Sequence, residues 1–158
     1  MLKFKQIAEY EPGIIFSLLK KSYEKVWNDK LEQSLRDSDK EVFENPDTVG
    51  ACIFISTLNG KAVGMASWDP RQGPEVGIIG HSCVLPEFQG RGFGKEQINE
   101  ILRRFKLNGF AKVLVTTGEE PFFKPARKMY LSCGFKETKR YDSCYNPPYK
   151  SIDYEIEL

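Results

Sequence analysis

From Leu2 to Glu9 apolar and polar residues alternate loosely, which predicts a short strand. From Pro12 the spacing changes. Ile15, Leu18 and Leu19 fall on one side of a helix, and Tyr23 and Trp27 continue the stripe. A second, more polar helix is expected from about Leu31 to Phe43, ending before Pro46. Gly50 to Thr57 is rich in apolar and β-branched residues and reads as a buried strand. Asn59-Gly60 populates positive φ cheaply and predicts a type I′ hairpin turn, with Lys61 to Trp68 returning. A loop marked by Pro70, Gly73 and Pro74 leads into another strand, Glu75 to Leu85, which Pro86 ends.

A glycine-rich turn, Gln89-Gly90-Arg91-Gly92-Phe93-Gly94, comes next and opens a helix. Ile98, Ile101, Leu102 and Phe105 form its apolar stripe, and Gly109 stops it. Ala111 to Thr116 is a short apolar strand. Pro125 is placed to open a further helix, whose stripe is Ala126, Met129, Tyr130 and Cys133, with Gly134 as the residue that ends it. Strands are expected over Gly134 to Asp142 and Ser151 to Leu158, the latter alternating cleanly. The order of elements predicts a mixed α/β domain with helices on both faces of one sheet.

At 158 residues the chain is long enough for one domain, taken as residues 1–158. A hydrophobic content of 41% and an aromatic content of 13% can build a core. Lys and Arg number 23 against 22 Asp and Glu, and this balance argues against a nucleic-acid partner, which needs a cationic excess, and against a polybasic membrane anchor. The longest apolar runs, such as Ile14-Ile15-Phe16, cannot span a bilayer, and the first ten residues lack the apolar core of a secretory signal. Cys52, Cys83, Cys133 and Cys144 form no C-x-x-C pair, and His81 is the single histidine. They read as reduced thiols in a cytoplasmic protein, with no metal site.

The glycine-rich turn carries the chemistry. A helix N-terminus leaves backbone N–H groups unpaired and carries partial positive charge. Glycines ahead of it let the backbone approach an anion, and the fit is to a phosphate or diphosphate, with Arg91 and Lys95 adding charge. The Walker A pattern fails, since Glu96 follows Gly94-Lys95 and Gln89 stands where its first glycine belongs. The dinucleotide G-x-G-x-x-G pattern fails at Lys95. A tight strand-to-helix connection is the structural alternative.

Gln89-Gly90-Arg91-Gly92-Phe93-Gly94 resembles the Q/R-x-x-G-x-G/A signature of the GNAT superfamily of N-acetyltransferases, and Cys83-Val84-Leu85-Pro86-Glu87-Phe88 looks like the strand end that precedes it. Ala126 to Phe135 is similar to that superfamily's A-x-x-x-Y-x-x-x-G-F segment. The resemblance implies the acyl-CoA N-acyltransferase fold: a central, mostly antiparallel twisted sheet with one splayed parallel pair, here the strands ending at Leu85 and Thr116. It implies acetyl-CoA as co-substrate. Its pantetheine would pair with backbone near Cys83, Val84 and Leu85, and its diphosphate would rest on amides of the Gln89–Lys95 turn, Gln89, Gly90, Arg91, Gly92, Phe93, Gly94 and Lys95. The Val84 amide would take the developing oxyanion. A substrate amine would attack directly, so Cys83 would line the site rather than act as nucleophile. Tyr130 matches the tyrosine that protonates the departing thiolate; from the helical stripe alone it reads as core.

Two positions depart from that pattern. Where relatives often carry an asparagine for the pantetheine, this chain has Phe123, which would pack on the arm or cap the core. The strand positions that usually hold the general base are Ile78 and Gly80. His81 is one residue out of phase and would face the other side unless a bulge intervenes. Glu75, Glu119, Glu120, Asp69 and a water relay are the alternatives. The expected activity is acetyl transfer to a primary amine of a small molecule or peptide, and the alternative is a catalytically weak acyl-CoA-binding sensor or scaffold. Tyr23, Trp27, Trp68 and the stretch from Tyr141 to Tyr149, with Tyr145, Pro147 and Pro148, would shape the acceptor side or a contact between two copies in a homodimer.

Overall fold

The computed structural model describes residues 1–144 and 146–158. Among them lie β1 (Lys3–Gln6), α1 (Ile14–Ser22), α2 (Asp29–Glu44), β2 (Ile53–Leu58), β3 (Lys61–Asp69), β4 (Val76–Val84), α3 (Phe93–Leu107), β5 (Lys112–Gly118), α4 (Lys124–Ser132), β6 (Lys136–Asp142) and β7 (Lys150–Glu157). The strands form one sheet in the order β1-β2-β3-β4-β5-β7-β6. β1 with β2, β2 with β3, β5 with β7 and β6 with β7 pair antiparallel, whereas β4 and β5 pair parallel. The parallel register runs from Val76↔Lys112 to Ile78↔Leu114 and ends there, although both strands continue.

By backbone proximity the chain groups into two units, Met1–Ser67 with His81–Gln97, and Trp68–Gly80 with Ile98–Leu158. In the first, Ile15, Leu18, Leu19, Leu35 and Val42 of α1 and α2 pack with Ile53, Ile55, Met65, Cys83 and Leu85 of the strands. Ser56, the neighbour of Ile55, instead donates its hydroxyl to Gln97 in α3, at 2.7 Å. Successive strand residues point to opposite faces, so α1 and α2 cover one face here and the start of α3 the other. Asn59 and Gly60 both have positive φ, 50° and 83°, and close the β2–β3 hairpin as the dipeptide predicts.

Two expectations are corrected in this unit. The first helix stops at Ser22 and does not continue through Tyr23 and Trp27. Trp27 packs edge-on against Phe16, with ring centroids 5.9 Å apart. In an unbroken helix the two would stand about 16 Å apart along the axis; the bend at Tyr23 brings them together. The strand expected from Gly50 begins only at Ile53, after a 3₁₀ turn over Val49–Cys52. There the Gly50 amide donates to the Asn45 carbonyl at 2.9 Å, and a Cβ would lie 3.0 Å from the Val42 carbonyl oxygen. Gly50 therefore docks the chain against the end of α2.

In the second unit Ile101, Phe105, Val113, Val115, Tyr130, Phe135, Ile152 and Tyr154 are buried. Both of its helix ends use one device. Gly109 (φ 78°) follows α3, and Phe110 N–H donates to the Phe105 carbonyl at 3.1 Å while the two rings meet tilted by 52° with centroids 4.7 Å apart. Gly134 (φ 99°) follows α4, and Phe135 N–H donates to the Tyr130 carbonyl at 3.1 Å with ring centroids 5.7 Å apart. These are Schellman stops with an aromatic pair closing each.

Candidate functional site

The end of β4 lies in the first unit. Leu85 N–H donates to the Val63 carbonyl at 2.8 Å, and the Cys83 carbonyl oxygen lies against Gly64 of the same strand, so close that a Cβ at residue 64 would collide with it. Backbone groups of successive strand residues point to opposite edges. The Val84 amide therefore points to the edge of β4 opposite β3. Of the three residues expected to offer backbone to a pantetheine arm, Val84 turns its amide to the edge opposite β3, while the Leu85 amide and the Cys83 carbonyl face β3. Gln89 is engaged too: its Nε2 donates to the Val84 carbonyl at 2.9 Å, tying the turn to the strand it follows.

Gly90 and Gly92 take φ of 77° and 83°, with nothing within 4 Å of where a Cβ would sit. Conformation, not crowding, requires glycine at both. Among the described residues, the amides of Gly90, Arg91, Gly92, Phe93 and Gly94 donate to no backbone carbonyl. Glu96 N–H donates to the Gly92 carbonyl at 3.1 Å and starts the ladder of α3. The turn is thus an exposed concavity of N–H groups at the positive end of a helix of 15 residues. The guanidinium of Arg91 lies 5.4 Å from the ring centre of Phe88, and the Lys61 ammonium lies 5.1 Å from it. Lys61, from β3, is a cation at this turn that sequence separation hid.

Gln97 was also missed, because nothing in the sequence separates it from the polar face of α3. It is fully buried. Its Oε1 accepts from Ser56, and its Nε2 donates to Ser82 Oγ at 3.2 Å and to the Cys83 carbonyl at 3.3 Å. Two strands, β2 and β4, are thereby held to the start of α3, and the end of β4 is fixed relative to the glycine turn.

Cys83 is buried among α1 and α2, and burial pushes its thiol up to about 11. Such a thiol stays protonated at neutral pH and offers no thiolate nucleophile. His81 sits where β4 slips. Gly77 turns its α-carbon toward the Phe105 ring of α3, and Ser82, five residues on, meets Gln97 of the same helix. Residues on one face of a regular strand are an even number apart, so the alternation shifts by one between them. The His81 amide donates to Ser67 Oγ at 2.9 Å. The strict alternation that would turn His81 away therefore does not hold. Burial lowers its imidazole below the ordinary 6.5. Other base candidates are less available: Asp69 is held low by its hydrogen bonds with Arg71, Glu119 is paired with Arg140 at 3.3 Å, and Glu75 is exposed.

In the second unit Tyr130 is 6% exposed, between Phe135 and Tyr154, and burial pushes its phenol up to about 12. Phe123 caps α4, and its ring meets Phe122 edge-on with centroids 5.1 Å apart. Arg127 of the second motif donates to the carbonyls of Gly118 and Glu120 at 2.7 and 2.9 Å, closing the end of β5 onto α4. Of the acceptor-side aromatics, Trp68 carries the Arg104 guanidinium 5.1 Å from its ring centre, Tyr141 bonds Asp153, and Tyr145 lies outside the described residues. No cluster of three or more metal-binding side chains occurs among the described residues.

The model of the acetyltransferase (GNAT) family matches residues 14–135, which include both motifs and the strands and helices between them. The chain belongs to this family. It is similar over 99% of its length to a GNAT-family protein from Desulfovibrio desulfuricans, at 15% identity, 98% coverage of that chain and a TM-score of 0.81. It is similar over its whole length to a GNAT-family acetyltransferase from Elizabethkingia anophelis with acetyl-CoA bound, at 16% identity, 97% coverage and a TM-score of 0.70. Over 106 residues it is 24% identical to an N-acetylaspartate synthetase of Xenopus tropicalis, and this stretch spans 67% of the chain and 37% of that relative. The chain spans about a third of the length of that curated relative, and the family it belongs to is one of acetyltransferases. No helix among the described residues is long and apolar enough to cross a membrane.

Proposed function

We propose that this GNAT protein transfers the acetyl group directly to a primary amine of a small molecule or peptide. The observation that supports this reading is the turn that follows β4, where among the described residues the amides of Gly90 to Gly94 donate to no backbone carbonyl, a few residues after the Val84 amide turned to the edge opposite β3. One suits a carbonyl oxygen that becomes negative, the others a diphosphate. Direct attack is supported by the burial of Cys83, which pushes its thiol up to about 11 and disfavours a thiolate nucleophile at that residue. The name of the Xenopus relative denotes a product acetylated on nitrogen.

In this reading the amine nitrogen forms its bond to the thioester carbon while the Val84 amide holds the oxyanion. The carbon–sulfur bond then breaks, and Tyr130 donates its proton toward the leaving sulfur. The proton shed by the amine goes to His81, whose lowered pKa keeps the imidazole neutral and able to accept at pH 7. Phe123 packs on the pantetheine arm. The four free thiols suit a reducing compartment, which supports a cytoplasmic setting for the reaction.

Thiol release from acetyl-CoA over a panel of amines tests the activity. His81 predicts an acid limb of kcat/KM below pH 6.5, because protonation of a lowered imidazole removes the base only there. His81→Gln should slow transfer and abolish that limb. A limb that survives in the variant would transfer the role to water or a carboxylate.

A further inference from the structure

Gln97 is a fully buried amide against the end of β4. Burying a primary amide is costly unless its polar atoms are bonded, and here the partners settle the direction of each bond. The Cys83 carbonyl can only accept, so Nε2 faces it, at 3.3 Å. Oε1 then faces Ser56, whose hydroxyl donates to it at 2.7 Å. Ser82 Oγ takes the second N–H at 3.2 Å. Gly64 of β3 makes room for this arrangement. A Cβ there would collide with the Cys83 carbonyl oxygen and lie 2.7 Å from Gln97 Oε1. The backbone of Gly64 is outside the left-handed region, so space alone asks for glycine at that position. Every residue named lies in the first unit.

The Cys83 carbonyl and the Val84 N–H belong to one planar peptide and point in opposite directions. A bond that holds the carbonyl therefore aims the amide. The next peptide is pinned as well, by Gln89 Nε2 on the Val84 carbonyl at 2.9 Å and by Leu85 N–H on the Val63 carbonyl at 2.8 Å. Hydrogen bonds in series polarise one another, so donation to a carbonyl leaves the N–H of its own peptide more positive. The Ser56 hydroxyl, the Gln97 amide and the Cys83–Val84 peptide form such a series, with every donor pointing the same way, and it ends on the Val84 N–H. We propose that Gln97 is a positioning residue for acyl transfer, which aims and polarises the Val84 N–H toward the thioester oxygen. This rests on the part given to that amide in the proposed acetylation.

Gln97→Met keeps the volume and removes the donor. With circular dichroism showing the variant folded, kcat should fall roughly tenfold, less than for loss of a whole oxyanion donor, while acetyl-CoA affinity holds. A second readout is one that packing alone would not move: the infrared stretch of the isotope-labelled thioester carbonyl in bound acetyl-CoA. On the wild type it should lie below its solution value, and in Gln97→Met it should move back up. Ser56→Ala leaves Gln97 in place and should shift both readouts the same way by less; it carries the test if Gln97→Met does not fold. A lowered stretch that the variants relax, with no thiol release from any amine, supports Gln97 and overturns the acetylation reading. A wild-type stretch at its solution value overturns the proposal. So does a kcat or a stretch that the variants leave unchanged, or a fall in kcat matched by an equal loss of acetyl-CoA affinity.

Discussion

Tyr130 occupies two roles that pull its ionisation in opposite senses. Its ring closes the stop of α4, and that burial lifts its phenol to about 12. An ordinary thiol has pKa ~8.5, so a phenol this weak would donate poorly to a solvated thiolate. Burial lifts thiols as well, as it does the Cys83 thiol, pushed up to about 11. A sulfur leaving within the fold is therefore a stronger base than in water, and the gap narrows. Tyr130→Phe keeps the ring contacts and removes the proton, so kcat should fall by roughly 10²-fold with acetyl-CoA affinity little changed. Equal losses in turnover and affinity would make Tyr130 a packing residue only. Gln97 is a positioning residue. Gln97→Met keeps the volume but strands the Cys83 carbonyl and the Ser56 and Ser82 hydroxyls, and urea unfolding should show a loss of about 2–4 kcal/mol. At this scale the positive φ of Gly90 and Gly92 was legible because the motif singles those glycines out. Gln97 and Lys61 were not, since tertiary partners alone give them meaning. The alternation argument against His81 fails because a one-residue slip in a strand leaves no mark in the spacing of apolar residues.

Element boundaries were legible where local chemistry sets them. Asn59-Gly60, Gly109 and Gly134 each take the positive φ their position suggests, and helices and hairpin end there. They were illegible where a distant contact overrides the local pattern, as when Trp27 folds back onto Phe16 or Gly50 docks on α2. The two Schellman stops allow conformation to be separated from packing. At Gly109 a Cβ meets nothing within 4 Å, whereas at Gly134 it would lie 3.2 Å from Ile156 Cδ1. Gly109→Ala should cost about 1–2 kcal/mol from the left-handed backbone alone. Gly134→Ala should cost more, measured by the same urea titration. Equal costs would mean that Ile156 yields freely.

The scale of the whole molecule concerns how a ligand at one turn is felt by the entire chain. We propose that residues 1–158 unfold as one cooperative domain. A ligand that binds the native state alone stabilises it by about 2.7 kcal/mol at a hundred times its Kd. For a chain of this length that corresponds to roughly 5–11 °C in Tm. Acetyl-CoA should then raise a single thermal transition by that amount, with calorimetric and van't Hoff enthalpies equal. The Gly90→Ala, Gly92→Ala double variant should melt earlier, since each alanine would be forced into the left-handed region. Its response to acetyl-CoA should also shrink, because relief of that strain swings the turn amides away from a diphosphate. Desulfo-CoA separates the turn from the reaction centre: it keeps the diphosphate and lacks the sulfur. It should therefore raise the Tm of the wild type and of Tyr130→Phe alike, and raise that of the double alanine variant little. A full shift in the double variant would remove the turn from coenzyme binding, and two resolved transitions in the wild type would divide the domain.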